Sequence, residues 1–411
     1  MSDFSASDIL PPTDVALPQR NVLRLGRSLA WAVYLGVSWT WCIGMFLPIL
    51  LLRDFGINGF LAFAIPNVLG AAAMGWVLKR SADSDAIVDR HKGMCVVFSL
   101  VTIAFHAFFA AWIIRDVAGP VSGLAVAGGV WIFWILCQLG LTTTLLSAIL
   151  ALLISLAVLA VGFAHGDLPF VAQAVAPNRL PPIDLLPLAI VCAFGFLFCP
   201  YLDLTFHAAR RDLGKNESRL AFSVGFGVVF FSMIIATLCY SLWIAQTFAQ
   251  LDGNSPALIL TRFDRVNDSR IALILAIHFI VQSSFTVAVH GSQILKRTRG
   301  FTLIPASLFI FGSIAAIWLG LLGNSATYHG LGLGEVVYRC FLGFYGLLFP
   351  AYVWLQIVPP RRSNQLFAAA VIFATPMMWL AFVERQYLWT IPAVAICLLA
   401  KLIPMNAETR V

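Results

Sequence analysis

Long apolar runs constrain this chain more than any other feature of its sequence. A helix needs about 20 apolar residues to cross the hydrocarbon core of a bilayer. Only 11% of the residues are charged, whereas soluble domains contain about 25% charged residues. The sequence therefore predicts an all-α integral membrane protein with about twelve transmembrane helices. The predicted spans lie near residues 29–52, 56–78, 93–116, 121–140, 142–164, 185–208, 218–247, 269–294, 301–323, 332–357, 365–383 and 387–404.

The distribution of Lys and Arg indicates how these helices are oriented. With both termini inside, most of the 26 basic residues lie on the inner side, as the positive-inside rule requires. This distribution also explains the net charge of +7, so we expect no nucleic-acid partner. The first 19 residues have no basic segment leading into an early apolar core, and we interpret residues 1–28 as a cytoplasmic tail rather than a cleaved signal. We expect a lipid-embedded protein of a bacterial inner (plasma) membrane, with both termini cytoplasmic.

The predicted spans form two groups of five and a final pair. Spans 1–5 occupy residues 29–164, and spans 6–10 occupy residues 185–357. A segment with several prolines, 165–184, separates the groups and is predicted to be an external loop. Because five is odd, the second group crosses the membrane in the opposite sense, as in an inverted repeat. Spans 11 and 12 follow at 365–404, before a C-terminal tail at 405–411.

Two of the spans are interrupted. The first contains Gly44 and Pro48 in the segment WTWCIGMFLP, and the sixth contains Gly195 and Pro200 in the segment FGFLFCPYLD. Proline removes a backbone donor and glycine loosens the backbone, so we expect both helices to be broken there. In hydrocarbon, broken helices are tolerated only where protein or a wet cavity satisfies the backbone, and a matching pair predicts a binding site near the membrane midplane. The alternative is that each glycine and proline only kinks its helix.

These segments resemble a known family. Residues 24–28 (RLGRS), 41–48 (WCIGMFLP) and 59–75 (GFLAFAIPNVLGAAAMG) are similar to the first two helices of LeuT-fold transporters of the APC superfamily. Residues 194–203 resemble the broken sixth helix of that family, and the five, five and two arrangement resembles its sodium:solute symporters. The resemblance implies a secondary transporter that moves a small organic solute by alternating access, with the solute between helices 1 and 6.

The resemblance also implies sodium as the coupling ion. Carried over to this chain, the ligands in helix 8 are the carbonyl of Ile280 and the hydroxyls of Ser283 and Ser284. Helix 1 contributes the carbonyls of Ser38 and Trp41. Neutral oxygens suit a hard cation. The alternative is that these hydroxyls only form hydrogen bonds between helices or to their own backbone. No organic cofactor is expected.

A candidate solute site surrounds the two interruptions. Asp203 is the only acid that the sequence places well within a span, where an acid is a functional hypothesis by default. His207 lies one helical turn further along, so both residues are candidates for coupling or gating. Asp203 either binds a cationic group or a coupling proton, or it is neutralised by an Arg or His neighbour and braces the inner gate. The predicted solute-binding residues are Trp41, Cys42, Gly44, His106, Phe194, Phe198, Tyr201, Asp203 and Gln282.

The sequence gives little support to other classes of function. The sequence has no Walker loop, Gly-x-Ser-x-Gly or His-Glu-x-x-His motif, so we expect neither ATP-driven transport nor an enzyme. Helix 1 has no acid and lacks the Asp-Pro-Gly break of Nramp-type metal transporters, which favours a neutral or zwitterionic solute. Two alternatives stay open. One is a non-transporting membrane subunit or sensor, and the other is a haem-bearing oxidoreductase with His106 and His278 as axial ligands.

Overall fold

The computed structural model describes residues 17–168, 180–249, 266–298, 303–358 and 363–403. Parts of the predicted tail and external loop, and the whole predicted C-terminal tail, lie outside these residues. The first predicted repeat contains α1 (Leu17–Trp39), α2 (Cys42–Phe55), α3 (Ile57–Val77), α4 (Ser81–Phe109), α5 (Arg115–Ala118), α6 (Ser122–Leu139) and α7 (Leu141–Ala164). The rest contains α8 (Leu185–Phe198), α9 (Leu204–Asp212), α10 (Lys215–Val224), α11 (Phe231–Ala249), α12 (Val266–Thr298), α13 (Leu303–Leu321), α14 (Leu333–Gly343), α15 (Phe349–Tyr352), α16 (Asn364–Phe382) and α17 (Thr390–Leu399).

Short irregular turns join several helices end to end. The π-helical turns Ala110–Ile114, Gly225–Phe230 and Phe344–Leu348 connect neighbouring α-helices into longer rods. Another π-helical turn, Val353–Ile357, follows α15 and ends before Val358, which is extended. The 3₁₀ turns are Pro182–Asp184, Cys199–Leu202, Tyr387–Trp389 and Ala400–Leu402.

The all-helical membrane-protein prediction is confirmed. Within the described ranges, nine helices are long and apolar enough to cross a bilayer, and a tenth span results if the bent pair α1 and α2 counts as one. Two shorter apolar helices, Phe309–Leu321 and Tyr387–Leu402, lie where the ninth and twelfth spans are predicted. The count of twelve and the inverted repeat stay predictions.

The break in helix 1 does not lie at Gly44 and Pro48, so this detail of the sequence prediction is wrong. Both residues lie inside α2, whereas the chain bends by 59° between Trp39 and Cys42. Pro48 removes a helical hydrogen bond without ending α2, because membrane helices tolerate a proline where neighbouring groups satisfy the freed backbone. Gly44 serves close packing instead, because a Cβ atom there would lie 3.2 Å from the Phe230 ring.

The sixth predicted span is broken close to the predicted place. Helix α8 ends at Phe198, a 3₁₀ turn holds Pro200, and Asp203 adopts an extended conformation before α9 begins. Gly195 lies inside α8, where a Cβ atom would come within 2.6 Å of the Tyr345 carbonyl oxygen. Proline therefore marks this break, and the glycine allows a neighbouring backbone to approach.

The outer surface of the helical bundle is apolar. Large side chains such as Trp131, Leu153, Ile372 and Phe373 are exposed on the helices that are long enough to span a membrane. Polar side chains are concentrated inside, among helices that approach closely at glycines. Gly70, for example, lies directly against the backbone of Phe196. This arrangement matches a bundle that exposes apolar groups to lipid and satisfies polar groups internally.

A small hairpin is anchored to the end of α16. Strands β1 (Thr327–Tyr328) and β2 (Leu331–Gly332) pair antiparallel. The Tyr328 hydroxyl donates to Glu384 Oε1 over 2.6 Å, and His329 Nδ1 lies 2.7 Å from Glu384 Oε2. These contacts, the Tyr328 hydrogen bond first, hold the pKa of Glu384 below its usual value. The same hydrogen bond raises the pKa of Tyr328.

Candidate functional site

The two helix breaks meet in the buried centre of the bundle. A cavity of about 10 Å³ lies between them. That volume is close to the minimum for one water molecule. A larger ligand therefore needs side chains or helix ends to move. The cavity is lined by Trp39, Trp41, Ile43, Gly44, Asn67, Phe196, Cys199 and Tyr345.

Side chains replace the helical hydrogen bonds that are lost at the end of α1. The Thr40 hydroxyl donates to the Gly36 carbonyl over 2.8 Å, and the Trp41 indole N–H donates to the Ser38 carbonyl. On the other side of the break, His106 Nε2 accepts the Cys42 backbone N–H over 3.3 Å. The free backbone groups at a helix end need such partners when they are buried. The break is thus built by the local sequence together with a residue of α4.

His106 has a defined tautomer. Its Nδ1 lies 2.8 Å from the Thr102 carbonyl oxygen, which can only accept, so Nδ1 carries the proton. Nε2 then holds the lone pair that accepts the Cys42 N–H. Both ring nitrogens are engaged in this conformation, which leaves none for haem iron. The predicted solute-binding residue His106 therefore lies at the break as the cap of α2.

Aromatic rings surround the cavity. The Trp39 and Trp41 rings lie 4.3 Å apart, and Trp39 Nε1 donates to Asn67 Oδ1 over 2.7 Å. The Tyr345 ring lies 5.4 Å from Trp41. Of the predicted solute residues, Trp41 and Gly44 line this cavity, and Cys42 begins α2 beside it. Asn67 and Tyr345 were missed by sequence reasoning.

The aromatic residues predicted around the second break lie elsewhere. Phe194 and Phe198 contact each other at 5.6 Å, and Phe198 also contacts Trp354. Tyr201 is half-buried, and neither it nor the two phenylalanines line the cavity. Phe196, on another face of α8, lines it instead.

Asp203 is fully buried at the second break. Its Oδ1 accepts hydrogen bonds from the Thr205 backbone N–H and hydroxyl, both over 2.7 Å, so it caps α9. Its Oδ2 has no hydrogen-bond partner in the described part of the chain. His290 Nε2 lies 4.0 Å from that oxygen. His207, the predicted companion, instead contacts Ser84 Oγ at 2.6 Å and the Tyr201 carbonyl at 3.0 Å.

The helix-8 prediction corresponds to α12. Ser283 and His290 are both fully buried, and the Ser283 hydroxyl has no partner among the described residues. The Ser284 hydroxyl donates to the Val126 carbonyl over 3.1 Å. Gln282 Nε2 donates to Ser155 Oγ over 2.8 Å, so this predicted solute residue contacts α7. Ile280 lines a separate open groove of about 980 Å³.

The predicted helix-1 ligands for sodium already accept hydrogen bonds. The Ser38 carbonyl accepts the Trp41 indole N–H, and the Trp41 carbonyl accepts the Met45 N–H over 2.9 Å. A sodium ion between α1 and α12 would have to compete with these bonds or add to them. The sodium site stays a prediction.

A second cluster of buried charge lies at the end of α2, which is predicted to face outside. Glu335 accepts a bidentate pair from Arg53, over 2.8 and 2.9 Å, and two further hydrogen bonds from Arg339. Asp54 accepts from Arg53 over 2.9 Å and from Arg339 over 3.1 Å. All four side chains are at most 6% exposed. We call Arg53, Asp54, Glu335 and Arg339 the buried quartet. Asp54 and Glu335 are thus buried acids that sequence reasoning missed, at the ends of helices rather than well within a span.

Comparison with known proteins gives a limited result. No protein-family model and no curated protein sequence matches the chain. Among solved structures, a crystal structure of the Eremococcus coleocola manganese transporter, in complex with an aromatic bis-isothiourea substituted compound, is similar with a TM-score of 0.49. The alignment covers 97% of each chain at 14% sequence identity.

Proposed function

We propose that this protein is a secondary transporter that moves a small organic solute by alternating access. The observation that carries the proposal is the pair of breaks, between α1 and α2 and between α8 and α9, which face one buried cavity. Helix breaks inside a membrane bundle are tolerated where they line a binding site, and half-helices can then pivot around it.

The cavity lining favours a small solute with an apolar body. Trp39, Trp41 and Tyr345 present rings, whereas Asn67 provides the polar amide. The N-terminus of α2, at Cys42, carries a partial positive charge that can attract an anionic group. A neutral or zwitterionic solute fits this combination. Because the cavity is about 10 Å³, entry of the solute requires the aromatic side chains or the half-helices to move apart.

The coupling ion in this proposal is sodium or a proton. Ser283 supports sodium, because its hydroxyl is buried without a partner among the described residues. Asp203 supports a proton or a cationic group, because its Oδ2 likewise has no hydrogen-bond partner there. The rival function is a non-transporting subunit or sensor that keeps the same scaffold, and it predicts no opening of the central cavity.

Native cysteines provide a test that needs no knowledge of the solute. Cys199 lines the central cavity and is 1% exposed, whereas Cys397 in α17 is 0% exposed and is not among the residues that line that cavity. Two variants would each retain one of these cysteines, with the others replaced by serine. The full-length variants are reconstituted in liposomes and treated with a membrane-impermeant, charged thiol reagent.

Alternating access predicts that Cys199 reacts progressively while Cys397 stays protected. The reason is that only the cavity between the breaks opens to water during the cycle. Equal, slow reaction at both cysteines would overturn the proposal and favour the sensor or subunit. A solute that binds between the breaks is expected to slow the reaction at Cys199 only, so the same assay can identify the solute by screening.

A further inference from the structure

We infer that Asp203 and His290 form one proton-binding site. This inference deepens the proposed function, on which its role in transport rests, because it makes the proton the coupling ion. Asp203 Oδ2 and His290 Nε2 face each other at 4.0 Å, and each atom has no hydrogen-bond partner among the residues that the structure describes. Both side chains are 0% exposed.

The buried quartet is an internal reference for how this protein neutralises a permanent charge. There, each buried carboxylate contacts two guanidinium groups, which stay charged at any physiological pH. Asp203 has no such partner in the described ranges, where its one ion-pair contact is His290. A buried carboxylate without a counter-charge is strongly unfavourable, because burial removes its hydration and nothing replaces it. The pair is therefore stable only when it holds a proton or another cation.

His290 can accept or donate this proton without breaking its other contact. Its Nδ1 lies 3.1 Å from the Ser99 hydroxyl, which can donate or accept. If Nδ1 carries the proton, Nε2 presents a lone pair to a protonated Asp203. If Ser99 donates to Nδ1, Nε2 presents its own N–H to the Asp203 carboxylate. A side-chain movement of about 1 Å converts the 4.0 Å separation into a hydrogen bond.

Among the described residues, the groups around the pair do not include a competing permanent cation. His106 lies near His290, but its nitrogens are engaged with Thr102 and Cys42. Arg297, further along α12, lies 3.7 Å from Asp85. In the described part of the chain, no Lys or Arg forms an ion pair with Asp203. The titratable groups that sense the charge of Asp203 are Tyr34, Cys95, Cys199 and Tyr345, from the helices and turns around it.

The pair is connected to both helix breaks. Asp203 Oδ1 accepts the Thr205 hydroxyl, and that hydroxyl lies 3.4 Å from Ser38 Oγ in the last turn of α1. The His290 ring lies 5.7 Å from Trp41 in the first break. Proton uptake forms one bond, O–H at Asp203 Oδ2 or N–H at His290 Nε2, and changes the charge of the pair from −1 to 0. Release to water on the opposite side breaks that bond, so no other reactant is needed.

The test uses full-length protein in proteoliposomes on a solid-supported membrane, without solute. A pH jump is expected to displace charge transiently in the wild type, because the pair binds or releases a proton. Asp203→Asn should lose this signal to the level of protein-free liposomes, yet its amide oxygen still caps α9 at Thr205. His290→Gln should reduce the signal. His278→Gln is the matched control on the same helix and should retain it.

Two results would overturn the inference. One is a wild-type signal in Asp203→Asn, which would locate the proton elsewhere. The other is a sodium-induced charge displacement at constant pH that the wild type shows and Asp203→Asn lacks, together with a pH-jump signal that Asp203→Asn retains. If Asp203→Asn does not fold, His290→Gln is compared with His278→Gln instead. A pH-jump signal that is reduced in His290→Gln and retained in His278→Gln supports the inference, and equal signals in the two variants overturn it.

Labelling of Cys199 separates this inference from the proposed function. In the variant that retains only Cys199, the labelling rate is expected to change with pH by more than ionisation of the thiol to the reactive thiolate explains, and adding Asp203→Asn should remove that excess. If the pH-jump signal follows the prediction but Cys199 is never labelled, the proton site stands and the transport proposal fails. If Cys199 is labelled with an excess pH dependence that survives Asp203→Asn, the transport proposal stands and the proton inference fails.

Discussion

Replacing Glu335 with Gln tests how the buried quartet is stabilised. Glu335 accepts four hydrogen bonds from two arginines, at distances of 2.7 to 2.9 Å, and it is 2% exposed. Glutamine keeps the volume but removes the charge, so that two guanidinium groups remain with Asp54 as their one carboxylate within the quartet. Leaving a buried charge uncompensated lowers the free energy of unfolding by about 3–5 kcal/mol. We expect a loss in that range.

A charge-balanced double variant provides the control. Arg53→Met together with Glu335→Gln leaves Asp54 and Arg339, whose side chains are 3.1 Å apart and carry opposite charges. The net charge of the cluster is again zero. The double variant should therefore lose about 2 kcal/mol less free energy of unfolding than the sum of the losses in the two single variants.

The free energy of unfolding can be measured for purified protein by reversible titration with SDS in mixed micelles. The wild type, the two single variants and the double variant together form a double-mutant cycle. A Glu335→Gln loss below about 1 kcal/mol would be typical of an exposed ion pair and would refute the reasoning. Strict additivity in the double variant would refute it as well, since the carboxylate would then not be acting as the counter-charge of Arg53.

Three further predictions concern packing, the first break and the hairpin. Gly70→Ala places a Cβ against backbone atoms and should lower the free energy of unfolding by about 1–3 kcal/mol. Gly128→Ala meets open space and should raise it by about 0.5–1 kcal/mol. His106→Leu leaves the Cys42 N–H unpaired, which should cost about 1–3 kcal/mol and speed its amide exchange, whereas His106→Gln should lose less. Because the pKa of Glu384 is lowered from 4.5, its contribution to the hairpin should be complete above pH 4.5 and lost as the pH falls through the lowered pKa. Glu384→Gln should abolish that acid dependence of hairpin amide exchange, and an unchanged profile would contradict this assignment.

The sixth helix shows how far local sequence reasoning reaches. Pro200 lacks a backbone donor, and the structure breaks the helix at the turn that contains it. The depth of Asp203 also followed from the apolar run around it, and it is fully buried. Helix 1 shows the limit. The break lies at Thr40 and Trp41, because the side chains of these residues donate hydrogen bonds to the Gly36 and Ser38 carbonyls. No simple sequence rule predicts that these side-chain hydrogen bonds interrupt the helix while Pro48 does not.

The neighbour of Asp203 shows a different limit. Helical periodicity suggested His207, which is close in sequence, but His207 contacts Ser84 and the Tyr201 carbonyl. His290 lies opposite Asp203 because α12 packs against α9, whose N-terminus Asp203 caps. The position of His290 in the same apolar run as Ser283 was a usable sequence signal, because a polar side chain in such a run is expected to face the interior of the bundle. Nothing in the sequence states which helix that face contacts.

By itself, the sequence determined the class of the protein and the approximate positions of its helices. These properties follow from apolar runs, whose transfer into lipid is a sum over local residues. The tertiary structure decided which charges meet, namely Arg53 and Arg339 with Glu335 and Asp54, and His290 with Asp203. The physical reason is that the energy of a buried charge depends on groups a few ångströms away in space. In a helical bundle, those groups come from spans that are distant along the chain.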